Sequence, residues 1–139
     1  MPRKAGIAGA LATTSNEEIK ERMDMKIETR TVGDVKILDC NGRITLGEGT
    51  MVVRKTVLDL LKDDQKKIIL NLAEVNYIDS SGIGELVSTY TTVTNSGGKL
   101  ILLNLTKKIR ELLAITKLLT VFHVFEDEQV ALASILERV

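Results

Sequence analysis

Lys66-Lys67-Ile68-Ile69-Leu70-Asn71-Leu72-Ala73-Glu74-Val75-Asn76-Tyr77-Ile78-Asp79-Ser80-Ser81-Gly82-Ile83-Gly84-Glu85-Leu86 is the stretch that decides the fold. Ile68 to Leu72 is a short apolar run of the kind that forms a strand buried on both faces. Val75 to Ile78 carries the chain to Asp79-Ser80-Ser81-Gly82. Beyond it Ile83, Leu86, Val87, Tyr90 and Val93 recur at helical spacing. A buried strand that passes directly into an amphipathic helix is the first half of a βαβ unit, which predicts an α/β architecture.

Upstream, Lys26–Thr31 and Val35–Cys40 read as strands, with Gly33-Asp34 as the turn of a hairpin and Asn41-Gly42 ending the second strand. Gly47-Glu48-Gly49-Thr50 reads as a loop with Thr50 as N-cap of a helix whose inner face is Val53, Val57, Leu60 and Leu61. Downstream, Asn95-Ser96-Gly97-Gly98 stops the second helix. Leu100–Leu103 is a buried strand, Thr106 caps a third helix with Ile109, Leu112 and Leu113 inside, and Val121–Phe125 is the last strand. Asp127 opens a final helix with a stripe of Ala131, Leu132, Ile135, Leu136 and Val139. The expected fold is an α/β sandwich: a mixed, mostly parallel sheet with an N-terminal hairpin and about four helices. The domain is expected over 25–139. Residues 1–24, with Gly6 and Gly9 followed by the capping-box spacing of Ser15-Asn16-Glu17-Glu18, are expected to be a flexible or partly helical extension. Ala10-Leu11-Ala12 resembles a cleavage site, but the apolar stretch around it is short for a secretory signal.

Composition narrows the function. Nineteen basic and nineteen acidic residues cancel, so the basic excess of a duplex-binding domain is absent, and at 3% aromatic residues there are few rings on which single-stranded bases could stack. The hydrophobic fraction of 44% supports a core that must be aliphatic. No apolar run is long enough for a membrane span. Cys40 lies in an apolar run and reads as a buried small hydrophobe; a lone thiol fits a reducing cytoplasm. His123 has no Cys or His at metal-ligand spacing and is expected in the core, so neither metal nor cofactor is expected. Gly47 and Gly49 are not followed by the Lys-Ser/Thr of a phosphate-binding loop. Nucleophilic catalysis from Ser80 would need a positioned base. The chain therefore reads as a binding module rather than an enzyme.

Ser80 and Ser81 fall at a predicted helix N-terminus, where unpaired backbone N–H groups and the helix dipole favour negative charge. Ser and Asp are also ordinary N-caps, so spacing alone leaves plain capping and a modifiable hydroxyl both open. Glu85 reads as a partner contact or as plain surface, and Lys107-Lys108 with Arg110 as a solvated basic face or an acidic-partner contact.

Val75-Asn76-Tyr77-Ile78-Asp79-Ser80-Ser81-Gly82-Ile83-Gly84, with Ile69-Leu70-Asn71-Leu72 before it, resembles the signature of STAS-domain anti-sigma factor antagonists. The similarity runs through Gly97-Gly98-Lys99-Leu100 and the region of Ile109, Leu112, Leu113 and Thr116. The resemblance implies a non-enzymatic partner switch in the cytoplasm. Its phosphorylated serine would be Ser80, and the docking surface would comprise Asp79, Ser80, Ser81, Gly82, Gly84 and Thr45. It implies an anti-sigma factor serine kinase and a phosphatase as partners and no direct nucleic-acid contact, and it allows a weak homodimer. Many relatives of the sporulation type carry Gly-x-Leu-Asp after the second strand, where this chain reads Gly42-Arg43-Ile44-Thr45, so the charge at that contact is changed. The alternative is a STAS scaffold subunit of a larger signalling assembly or lipid-transport complex, which would run as a large stable particle in size exclusion.

Overall fold

The computed structural model describes residues 25–136. The helix expected near Asn16 and the end of the last stripe at Val139 lie outside the described residues. The element order is β1 (Lys26–Val32), β2 (Val35–Ile44), α1 (Glu48–Lys62), β3 (Lys67–Ile78), α2 (Ser80–Asn95), β4 (Lys99–Leu103), α3 (Lys107–Ile115), β5 (His123–Phe125) and α4 (Glu128–Leu136). The five strands form one sheet in chain order; β1 and β2 are an antiparallel hairpin, and every later neighbour is parallel. Gly33, at φ +63°, supplies the left-handed turn between β1 and β2.

Each crossover from β2 to β5 returns to the adjacent strand in the same direction, so α1, α2 and α3 share one face of the sheet. The strands alternate accordingly. Leu38, Cys40, Ile68, Leu70, Leu72, Leu100 and Leu102 pack under Val53 and Val57 of α1, Ile83, Leu86 and Val93 of α2, and Ile109 and Leu113 of α3. The intervening Val35, Ile37, Ile69, Ile101 and Leu103 point the other way, against Ala131, Leu132 and Ile135 of α4. Period-two alternation in strands that are apolar on both faces is what places two helical layers on one sheet.

At the N-terminal end of α4 that second face turns polar. Arg30 of β1 donates to both carboxylate oxygens of Asp39, at 2.5 and 3.0 Å, and forks to Glu128 at 2.9 and 3.1 Å. Asn71 donates to Asp39 at 2.8 Å. The Arg30 bond, aided by Asn71, holds the Asp39 carboxyl below the usual range against the opposing effect of its burial.

Several sequence expectations need correction. Gly47, not Thr50, is the N-cap of α1; the buried Thr50 hydroxyl instead donates back to the Gly47 carbonyl at 3.1 Å. The second strand does not end at Asn41-Gly42 but runs to Ile44, through register shifts beside Asn41 and Gly42 that break the simple alternation. The last strand is only His123–Phe125, and His123 is exposed rather than in the core, because Phe122 takes the inward position. Leu136, expected in the apolar stripe of α4, is 45% exposed. Cys40 is buried as expected, and that burial, aided by the nearby Asp39 charge, pushes the thiol up to about 12.

A candidate docking site at the open end of the sheet

The parallel strands β2 and β3 end side by side, with Ile44 paired to Ile78. Everything that follows them gathers at this edge. Asp79 is the N-cap of α2, in extended backbone, as its sequence position predicts. Its Oδ1 accepts from the Gly82 N–H at 2.8 Å, and its Oδ2 accepts from the Leu46 N–H at 3.2 Å. One carboxylate thus ties the start of α2 to the loop that leads into α1. The Asp79 N–H also donates to the Ile44 carbonyl at 3.4 Å. Partial burial pushes the Asp79 carboxyl up, but backbone donors at Gly82, Leu46, Asp79 and Ser81 outweigh it and hold the group below its ordinary value.

Gly82 is required by a close approach. A Cβ there would collide with the Ile44 carbonyl oxygen and with the Ile78 side chain. Gly49 meets the same constraint, since a Cβ would strike the Arg43 carbonyl. These two glycines let α1 and α2 begin directly against the end of β2. Gly84 differs: it is exposed, and a Cβ there would meet nothing within 4 Å, so close helix packing does not account for it.

Ser80, the first residue of α2, is exposed, and Ser81 is half-buried. Thr45 is half-buried in the loop after β2, where its carbonyl accepts from the Thr50 N–H at 3.1 Å. Asp79, Ser80, Ser81, Gly82 and Thr45 are therefore brought to one edge, and Gly84 follows on the outer side of α2. Sequence reasoning missed Leu46, which is 78% exposed beside the Asp79 bond; an apolar residue between Thr45 and Gly47 was the available signal. It also placed Glu85 at the surface. The structure buries Glu85, where Oε1 accepts from Arg54 of α1 at 2.6 and 3.1 Å and Oε2 accepts from Thr89 at 3.0 Å. Its position one turn past Ser80 turns it toward α1 instead of outward, so this carboxylate clamps the two helices of the site together.

No His, Cys, Asp or Glu cluster among the described residues could hold a metal ion. Nor is any helix among them long and apolar enough to cross a membrane. Among the described residues no base stands in hydrogen-bond contact with Ser80, and the arrangement offers a displayed hydroxyl beside a fixed carboxylate, a geometry suited to recognition.

The STAS domain family model matches residues 6–131. The chain belongs to the STAS domain family. Among curated proteins it is similar to an anti-sigma-B factor antagonist of Staphylococcus epidermidis, 28% identical over 111 residues that cover 78% of this chain and 99% of the relative. Among solved structures it is similar to a putative anti-sigma factor antagonist of Thermotoga maritima, with a TM-score of 0.74 and 27% identity over 80% of this chain and 95% of that one. The phosphorylated form of the Bacillus cell fate determinant SpoIIAA shares the fold, with a TM-score of 0.63 and 18% identity over 78% of this chain and 98% of that one. The mixed five-stranded sheet and its helices are thus a STAS fold, as the signature around Asp79 and Ser80 implied.

Proposed function

We propose that this STAS domain is an anti-sigma factor antagonist acting as a cytoplasmic partner switch. In its unmodified form it binds an anti-sigma factor that is also a serine kinase. Phosphorylation of Ser80 by that kinase dissolves the complex, and a phosphatase restores it. The domain itself catalyses nothing. The observation that carries this reading is the exposed Ser80 hydroxyl, held on the first turn of α2 directly after a cap bonded to both flanking elements.

The physical logic is short. A docked protein covers Asp79, Ser80, Ser81, Gly82, Gly84 and Thr45. A phosphate on Ser80 adds about −1.5 to −2 charges at neutral pH, beside the fixed charge of Asp79. In an interface that charge must be paired or desolvated. A penalty of about 3 kcal/mol weakens affinity more than a hundredfold. Because Ser80 points outward and its neighbours are held through backbone bonds, the modification alters the surface while the fold stays as it is.

The test is incubation with ATP and candidate serine-kinase anti-sigma factors, followed by mass spectrometry of the wild type and Ser80→Ala. Wild type is expected to gain one phosphate at Ser80 and the variant none. Equal uptake by both would remove Ser80 from the mechanism. Ser80→Asp is expected to weaken the complex; an unchanged Kd would rule out charge as the switch.

A further inference from the structure

Next to the Ser80 edge, on the β2–β3 pair, lies a cluster of charge that the phosphoserine switch does not use. Arg43 of β2 is paired in register with Tyr77 of β3. Its guanidinium carbon lies 4.5 Å from the centre of the Tyr77 ring, and Nζ of Lys108, from the first turn of α3, lies 5.1 Å from the same centre. The ring's negative face attracts each cation, but two like charges share it. The two distances keep those charges within about one Debye length, ~10 Å at 0.1 M salt, so salt does not fully screen their repulsion.

Neither cation is paired with a carboxylate among the described residues. Arg43 is also the one place there where a buried side-chain nitrogen, Nε, has no hydrogen-bond partner. Guanidinium nitrogens buried without an acceptor are rare, because they forfeit the hydrogen bonds that water would give them. Arg43 is therefore stacked but unsatisfied. An anion presenting two coplanar oxygens to Nε and one Nη would give it the fork it lacks, and would neutralise the Lys108 charge as well. Tyr77 is 37% exposed and stands three residues before Ser80, so the cluster is continuous with the docking edge.

We propose that Arg43 and Lys108, gathered on Tyr77, receive a carboxylate side chain of the docked protein partner. Arg43 leaves the ring to form a two-bond fork with that carboxylate, and Lys108 adds a second charge contact. The partner is thereby marked as one that carries an acidic group opposite β2. This inference rests on the reading of the Ser80 edge as a docking surface, but its test does not need phosphorylation.

In the Ser80→Ala protein, the Arg43 Nε–H resonance is followed by NMR during titration with a tetraglutamate peptide, and in parallel with tetraglutamine, at constant ionic strength. A saturable shift of Arg43 Nε–H and of the Tyr77 ring protons is expected with tetraglutamate alone. Lys108→Ala, at an exposed position, should weaken it about tenfold, and Arg43→Lys, followed through the Tyr77 ring protons alone, should weaken it further by removing the fork. Equal responses to the two peptides would overturn the site. For the source of the anion, Arg43→Glu should weaken binding to the anti-sigma factor that phosphorylates the wild type by more than about a hundredfold. If inorganic phosphate shifts Arg43 as well as tetraglutamate does and Arg43→Glu leaves that affinity unchanged, the assignment to a protein partner fails while the Ser80 switch stands. If Ser80→Asp leaves the affinity unchanged and Arg43→Glu lowers it, the switch fails and this contact stands.

Discussion

Asp39 and Asp79 are both held below the ordinary range of a carboxyl, and they reach that state by opposite means. Asp39 is gripped by another side chain, Arg30, which also reaches Glu128 and so fastens the edge strand β1 to α4. Asp79 is gripped by backbone N–H groups, chiefly those of Gly82 and Leu46. A side-chain grip joins distant elements but consumes both charges. A backbone grip organises a loop and leaves every neighbouring side chain free. The structural aspartate therefore sits in a saturated network, and the aspartate of the candidate site sits beside an exposed serine.

The comparison can be broken most severely at Gly82. Gly82→Ala forces β2 and α2 apart at the Ile44 carbonyl and should cost about 3 kcal/mol, lowering Tm by roughly 10 °C. Gly84→Ala, facing open space, should leave Tm unchanged or raise it slightly, since alanine suits a helix better by about 1 kcal/mol. Calorimetry on the pair decides whether close approach or helix propensity governs this turn.

Next in size is Glu85→Ala, which removes the clamp between α1 and α2 and leaves the Thr89 hydroxyl in the core without its acceptor. A loss of about 2 kcal/mol is expected by urea unfolding. Losing Arg54's clamp while Ser80 keeps its exposure should loosen the site without altering its chemistry.

Asp79→Ala should cost about 1 kcal/mol, the ordinary worth of an N-cap. Its folded value is depressed, so its contribution is present above the unfolded carboxyl value of about 3.9 and is lost as pH falls through the folded one. The wild type should therefore lose stability below about pH 4 more steeply than the variant does. Asp39 contributes with the same sign, so combining Asp39→Ala with Asp79→Ala should flatten the acid limb further.

The smallest effect separates the two grips most cleanly. Arg30→Ala removes ion pairs that are roughly a third exposed and should cost under about 1 kcal/mol. Adding 1 M NaCl to the wild type should erase most of that difference, because screening reaches such pairs. The cost of Asp79→Ala should survive the same salt, since its partners are backbone dipoles. Equal salt sensitivity in both variants would dissolve the distinction.

How much of this was legible in the sequence depended on whether a residue's surroundings were local. The apolar runs at Ile68–Leu72 and Leu100–Leu103 announced strands buried on both faces, and Asp79 announced a cap, because periodicity and capping are properties of neighbouring residues. Glu85 and Arg54 are 31 residues apart, and no local pattern signals that they meet. The bulges in β2 shift its register after Asp39, so the continuation to Ile44 was hidden behind Asn41-Gly42, which read as the end of the strand. His123 was misplaced because its neighbours are apolar while alternation turns it outward. The stack of Arg43, Tyr77 and Lys108 joins two strands and a helix, and only the assembled sheet brings them together.

The order of the sheet carries a consequence for how the protein is made. Each strand pairs with the one synthesised just before it, and the crossover helices close their own face along the way. A nascent chain can therefore consolidate from β1 onward as it leaves the ribosome. The opposite face is different: among the described residues, Val35, Ile37, Ile69, Ile101 and Leu103 have only the helix α4 to cover them, and α4 is the last element described. Until translation reaches it, that greasy surface is open to chaperones and to other unfinished chains, so a chain truncated just before α4 should aggregate more readily than the full domain.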